Sequence, residues 1–136
     1  FDELDRLERL HEEDGRTPRV LLRATPGVEA HTHEFVQTGQ IDSKFGFGVA
    51  SGDLDRAVER VASSPAADLV GVHLHIGSQI FVADFFRQAI AVVAPWVRDL
   101  DLPELSIGGG LGVPYVVGEE APTISEWGNG QGWLPA

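Results

Sequence analysis

The chain has 136 residues, 43% of them hydrophobic and 23% charged, enough for one small domain with a buried core. Its 10 basic and 21 acidic residues give a formal net charge of −11, which argues against nucleic acid or an anionic membrane surface as a partner and leaves any bound phosphate to local donors. Cysteine is absent, which excludes disulfides, a thiol nucleophile and Cys-based zinc sites and fits a cytoplasmic setting. No apolar stretch is long enough to span a bilayer, and the N-terminus lacks the basic region of a signal peptide. Phe1 in place of a start methionine, with no Met anywhere, leads us to expect a piece of a longer protein.

The first periodic segment, residues 2–14, sets Leu4, Leu7 and Leu10 at helical spacing and stops at Gly15. Its acidic residues at 2, 3, 5, 8, 12 and 13 form a solvated face. Arg19 to Thr25 predicts a strand, ended by Pro26-Gly27. Residues 28–48 have no sustained period and predict a long loop. A second helix follows at 53–63, with Leu54, Ala57, Val58 and Val61 on one face. Leu69 to Ile76 predicts a buried strand with Val70, Val72, Leu74 and Ile76 on one side and Gly71, His73 and His75 on the other. Residues 83–100 predict a third helix, which Pro95 is expected to kink or divide. Glu104 to Ile107 predicts another strand, and Thr123 to Trp127 the start of a helix that Gly128 to Gly132 breaks. This alternation predicts an α/β fold of parallel strands with crossover helices, as a barrel or an open sheet, with ligands at the C-terminal strand ends.

Two polar motifs fall at such ends: His73-Leu74-His75-Ile76-Gly77-Ser78, and Ser106-Ile107-Gly108-Gly109-Gly110-Leu111-Gly112. Glycines let backbone N–H groups approach an anion closely. His75 is read as lying on a flat cofactor ring, against the alternative of a satisfied interior histidine. For His73, a hydrogen-bonded interior role is the better reading. Ser78 can donate to a phosphate, or serve as a helix N-cap or turn residue. Gly108, Gly109 and Gly110 are read as a phosphate cradle, against a tight turn without a ligand. His31 and His33 with His73 and His75 raise a site for zinc or another divalent ion, ranked lower because nothing assures that the two pairs meet. Lys44 is the only lysine and so the only amine that could form a Schiff base here, against the alternative of a structural or phosphate-proximal role. Arg23 lies within a strand, pointing into the barrel or pairing with a carboxylate.

The motifs resemble those of the diaminopimelate decarboxylases, pyridoxal-phosphate enzymes of the alanine-racemase-like barrel class. The resemblance is carried by Leu21 to Val28, Ser43 to Gly46, Gly71 to Gln79 and Ile107 to Gly112, in order and at sensible spacing. It implies a partial (β/α)8 barrel of the fold-type III class over residues 1–117, with 118–136 a poorly matching tail. It implies pyridoxal 5'-phosphate as cofactor, His75 stacked on its ring, and Ser78 with Gly108, Gly109 and Gly110 on its phosphate. The implied reaction is decarboxylation of meso-diaminopimelate to L-lysine, in a homodimer. The family's Schiff-base lysine would lie upstream of Phe1, Lys44 matching a different lysine. The Glu-Pro-Gly-Arg segment that meets the ring nitrogen is not in the chain. The isolated chain is therefore expected to be inactive. The alternatives are a non-catalytic binding module for pyridoxal phosphate or similar phosphate ligands, and a His-x-His metal-dependent hydrolase.

Overall fold

The computed structural model describes residues 2–28 and 45–128. Its elements are α1 (Asp2–Asp14), β1 (Arg19–Thr25), β2 (Phe47–Gly48), α2 (Asp53–Ala62), β3 (Asp68–Leu74), α3 (Asp84–Asp99), β4 (Glu104–Ser106) and α4 (Ile124–Gly128). The strands form one four-stranded sheet in the order β2-β1-β3-β4, and every pairing is parallel. Parallel neighbours need crossovers; α2 lies on the connection from β2 to β3 and α3 on that from β3 to β4.

Local chemistry explains the elements. α1 opens on Asp2, Glu3 and Asp5, where the helix dipole favours negative charge. It ends at Gly15, whose left-handed φ of 72° lets its N–H reach His11 O at 2.7 Å. Of its three periodic leucines Leu4 is buried and Leu7 packs on the core, but Leu10 is 52% exposed. β1 turns Leu22 and Ala24 into the core. β3 adds Val70, Val72 and Leu74, and the helices add Leu54, Ala57, Val61, Ala89, Ile90 and Val93. The other sheet face carries Leu21, Arg23, Gly71 and His73. Gly71 is required there, because a Cβ at that position would collide with Glu104 O and crowd Leu21 Cδ2. Across that face Arg19 of β1 forms an ion pair with Glu104 of β4.

Polar contacts join the helices. The Arg60 guanidinium on α2 donates to both carboxylate oxygens of Glu8 on α1, each at 2.7 Å, and to Asp5 at 3.1 Å. Ser64 adds a third bond to Glu8 at 2.8 Å. Trp96 Nε1 on α3 donates to Asp55 on α2 at 2.6 Å.

Three expectations are corrected. The predicted loop 28–48 ends in a strand, β2, which pairs Phe47 with Ala24 and Gly48 with Thr25. Pro95 does not divide α3, which runs unbroken to Asp99. Proline deprives Ala91 O of its donor, but Val93, Ala94 and Trp96 pack the helix on the core on either side of it. β3 stops at Leu74, so His75 and Ile76 belong to the turn beyond it. Residues 29–44, among them His31, His33 and Lys44, and the chain beyond Gly128 lie outside the described residues.

Candidate cofactor-binding site

The turns leaving β3 and β4 lie side by side at the C-terminal end of the sheet. Ile80 N donates to Gly110 O at 2.9 Å, and Gly112 N donates to Ile80 O at 2.8 Å, so that Ile80 and Leu111 form a parallel bridge. One residue further, Gln79 Nε2 donates to Val113 O at 3.0 Å, and Val113 N donates to Gln79 Oε1 at 3.2 Å. The two motifs are thus one assembly, joined over three successive rungs.

The glycines divide by what they face. A Cβ at Gly108 would collide with Leu74 O, and one at Gly110 with Gly77 O, and both residues have positive φ. They are glycines so that one turn can press against the other. A Cβ on Gly112 would stand 3.0 Å from the Phe81 ring. Gly109 differs: a Cβ there would meet nothing within 4 Å, and the residue is exposed. Its backbone is open to an approaching ligand.

Ser78 is exposed beside this opening. It stands in a bend, and α3 begins only at Asp84, so the helix N-cap alternative is corrected. Any anion at Ser78 would rely on its hydroxyl and on turn amides, and not on the α3 dipole. His75 follows directly after β3 and is half-buried.

Below the turns, the register sets Arg23, His73 and Ser106 in one row across β1, β3 and β4. His73 Nδ1 and Ser106 Oγ share a 2.8 Å hydrogen bond, in keeping with the interior role expected of His73. Burial, then the Arg23 charge, then His75 hold the His73 imidazole below its usual value, which favours the neutral ring. Arg23 lies over the Phe45 ring, 5.1 Å from its centroid, and has no ion pair among the described residues. The Phe45-Gly46 turn packs closely on β1: Thr25 Oγ1 donates to Phe45 O, and a Cβ on Gly46 would crowd Arg23 O.

His75, Ser78, Gly108, Gly109 and Gly110 are therefore brought to one end of the sheet. His31, His33 and Lys44 cannot be placed with them, since they lie outside the described residues. Among the described residues no group of three His, Asp or Glu side chains is arranged to hold a metal ion. Sequence reasoning did not single out the pairing of Gln79 with Val113, although Gln79 directly follows Gly77-Ser78. It also missed the stacking of Arg23 on Phe45. An arginine alternating with Leu22 and Ala24 in a buried strand was the available signal.

The chain is similar to known proteins over most of its length. Residues 1–130 match the family described as pyridoxal-dependent decarboxylase, pyridoxal binding domain. The chain is 43% identical over 123 residues to diaminopimelate decarboxylase of Staphylococcus aureus, covering 89% of this chain and 29% of the relative. It is 44% identical over 133 residues to that of Bacillus subtilis, covering 93% and 30%. Among solved structures, diaminopimelate decarboxylase from Helicobacter pylori complexed with L-lysine superposes with a TM-score of 0.76 at 29% identity, covering 94% of this chain and 33% of that one. The enzyme from M. jannaschii gives a TM-score of 0.74 at 30% identity, covering 93% and 30%. The chain thus spans about a third or less of each of these relatives. The parallel sheet, the zipped turns at its C-terminal end and above all these matches make the chain a member of the pyridoxal-dependent decarboxylases, within their pyridoxal-binding barrel domain.

Proposed function

We propose that this chain binds pyridoxal 5'-phosphate through the turns after β3 and β4, as part of a decarboxylase that converts meso-diaminopimelate to L-lysine and carbon dioxide. The observation that carries the reading is Gly109: the neighbouring glycines are required by packing, whereas Gly109 has open space where a Cβ would stand. In this reading the Ser78 hydroxyl and the amides of Gly108, Gly109 and Gly110 hold the phosphate, and His75 lies against the ring. Such donors are the means available to a chain of net charge −11, whose overall field repels an anion. The bound cofactor supplies an electron sink for the loss of carbon dioxide. The substrate assignment is supported by the relatives named diaminopimelate decarboxylase and by the L-lysine complex. A cytoplasmic homodimer is part of the same proposal, and the exposed apolar run Tyr115, Val116 and Val117 supports a buried contact there in the assembled enzyme.

Gly109→Ala tests the cradle. The variant is expected to fold like the unaltered chain by circular dichroism and thermal melting, and to bind pyridoxal phosphate at least ~10-fold more weakly. Unchanged affinity would sink the reading. Taken alone, the 136-residue chain is expected to form no lysine from diaminopimelate, and detectable product in an amino-acid assay would refute that part.

A further inference from the structure

We propose that Gln79 is the positioning residue of the anion cradle, a side-chain latch that fixes the turn bearing Ser78 against the glycine loop. The inference rests on the cradle reading above and adds what sets its geometry. Gln79 stands between Ser78 and Ile80, at the junction of ligand-facing turn and paired backbone. Its amide uses both a donor and an acceptor, on the carbonyl and the N–H of the same residue, Val113. It thereby acts as an extra peptide unit, adding a rung where Gly112 N and Ile80 O end the backbone ladder.

Two further observations separate a latch from ordinary packing. Gln79 has φ of 56°, one of two non-glycine residues in the left-handed region among those described. L side chains avoid that region, so the surrounding bonds must hold it there. Val113 is 50% exposed, so the contact fills no hole in the core. What it fixes is position. Gly110 is already pressed on Gly77 O, and the latch at Gln79 closes the opposite flank of Ser78. The spacing between the Ser78 hydroxyl and the Gly109 amide is then set from both sides.

The chemistry of the fork dictates the variants. Methionine keeps the length and loses both bonds, alanine loses length and bonds, and glycine also relieves the left-handed strain. Dissociation constants for pyridoxal phosphate and for inorganic phosphate are measured on the 136-residue chain, with hydrogen exchange at Val113 and through β1 and β3. All three variants are expected to bind both ligands about tenfold or more weakly. Protection should fall at the Val113 amide and persist in β1 and β3. Equal weakening in Gln79→Gly identifies the latch, and not the strain, as the determinant, whereas a glycine variant that binds normally overturns the inference. So does wild-type affinity in Gln79→Met and Gln79→Ala, or protection lost throughout the sheet, which marks a merely structural residue. If Gln79→Ala does not fold, the methionine and glycine variants decide. Binding that survives Gln79→Met but fails in Gly109→Ala overturns the latch and leaves the cradle standing. An unaltered chain that binds neither ligand overturns both.

Discussion

At the scale of single residues, His73 carries a pH dependence whose sign follows from its surroundings. Burial, Arg23 and His75 all disfavour the imidazolium, so the folded chain binds that proton less readily than the unfolded chain. The contribution is complete above the ordinary value of 6.5 and is eroded as pH falls below it. Urea unfolding between about pH 7.5 and about pH 5.5 should show declining stability, and His73→Gln should flatten that decline. A slope unchanged in the variant would place the titration elsewhere. Ser106→Ala removes the partner of His73 and should cost about 1 kcal/mol at neutral pH. The same scale shows how far the sequence could be read. The two glycine motifs were visible as a pair, and so was the interior side of β3, because alternation alone puts His73 opposite Val72. Which glycines serve packing was not visible. That depends on the carbonyls of Leu74 and Gly77, which approach Gly108 and Gly110 only after the strands have paired.

Among the elements, the contact between α1 and α2 rests on charge as well as on leucines. Hydrogen bonds from Arg60, then from Ser64, hold the Glu8 carboxyl down to about 2 from an ordinary 4.5. Its stabilisation is therefore present above 4.5 and is lost as pH falls from there towards 2. Glu8→Gln should remove that part of the acid-unfolding profile, read by circular dichroism, while leaving the profile above about pH 5 parallel to that of the unaltered chain, displaced by a constant amount. Trp96→Phe tests the neighbouring contact: it keeps the ring on the core and deletes the bond to Asp55, for an expected loss of about 1 kcal/mol in chemical denaturation. Helices and long strands were legible because their periods run over many residues. β2 was not: two residues carry no period, and their pairing with Ala24 and Thr25 depends on a neighbour more than twenty positions back in the chain. At Pro95 the sequence left open whether α3 divides; the packing on either side of that residue keeps the helix whole against a local propensity.

The sheet as a whole is unevenly protected. β2 covers only the Ala24 and Thr25 end of β1, and β4 pairs with β3 alone among the described residues. Unpaired edges offer backbone donors and acceptors to another chain. Elsewhere on the surface, Tyr115 is 77% exposed and Val116 63%, and Val117 is fully exposed. The open strand and the exposed apolar run give association a directional and a non-directional component, hydrogen bonds along β4 and area burial over residues 115–117. The net charge of −11 opposes it, more strongly at low ionic strength. The chain alone is therefore expected to self-associate in sedimentation velocity, increasingly with protein concentration and with added salt. The double variant Tyr115→Lys, Val117→Lys removes the apolar component and lowers the net negative charge, so reduced association in spite of weaker repulsion would single out the apolar run. A chain that remains monomeric in high salt over about a hundredfold range of concentration would show that repulsion suffices to guard these edges.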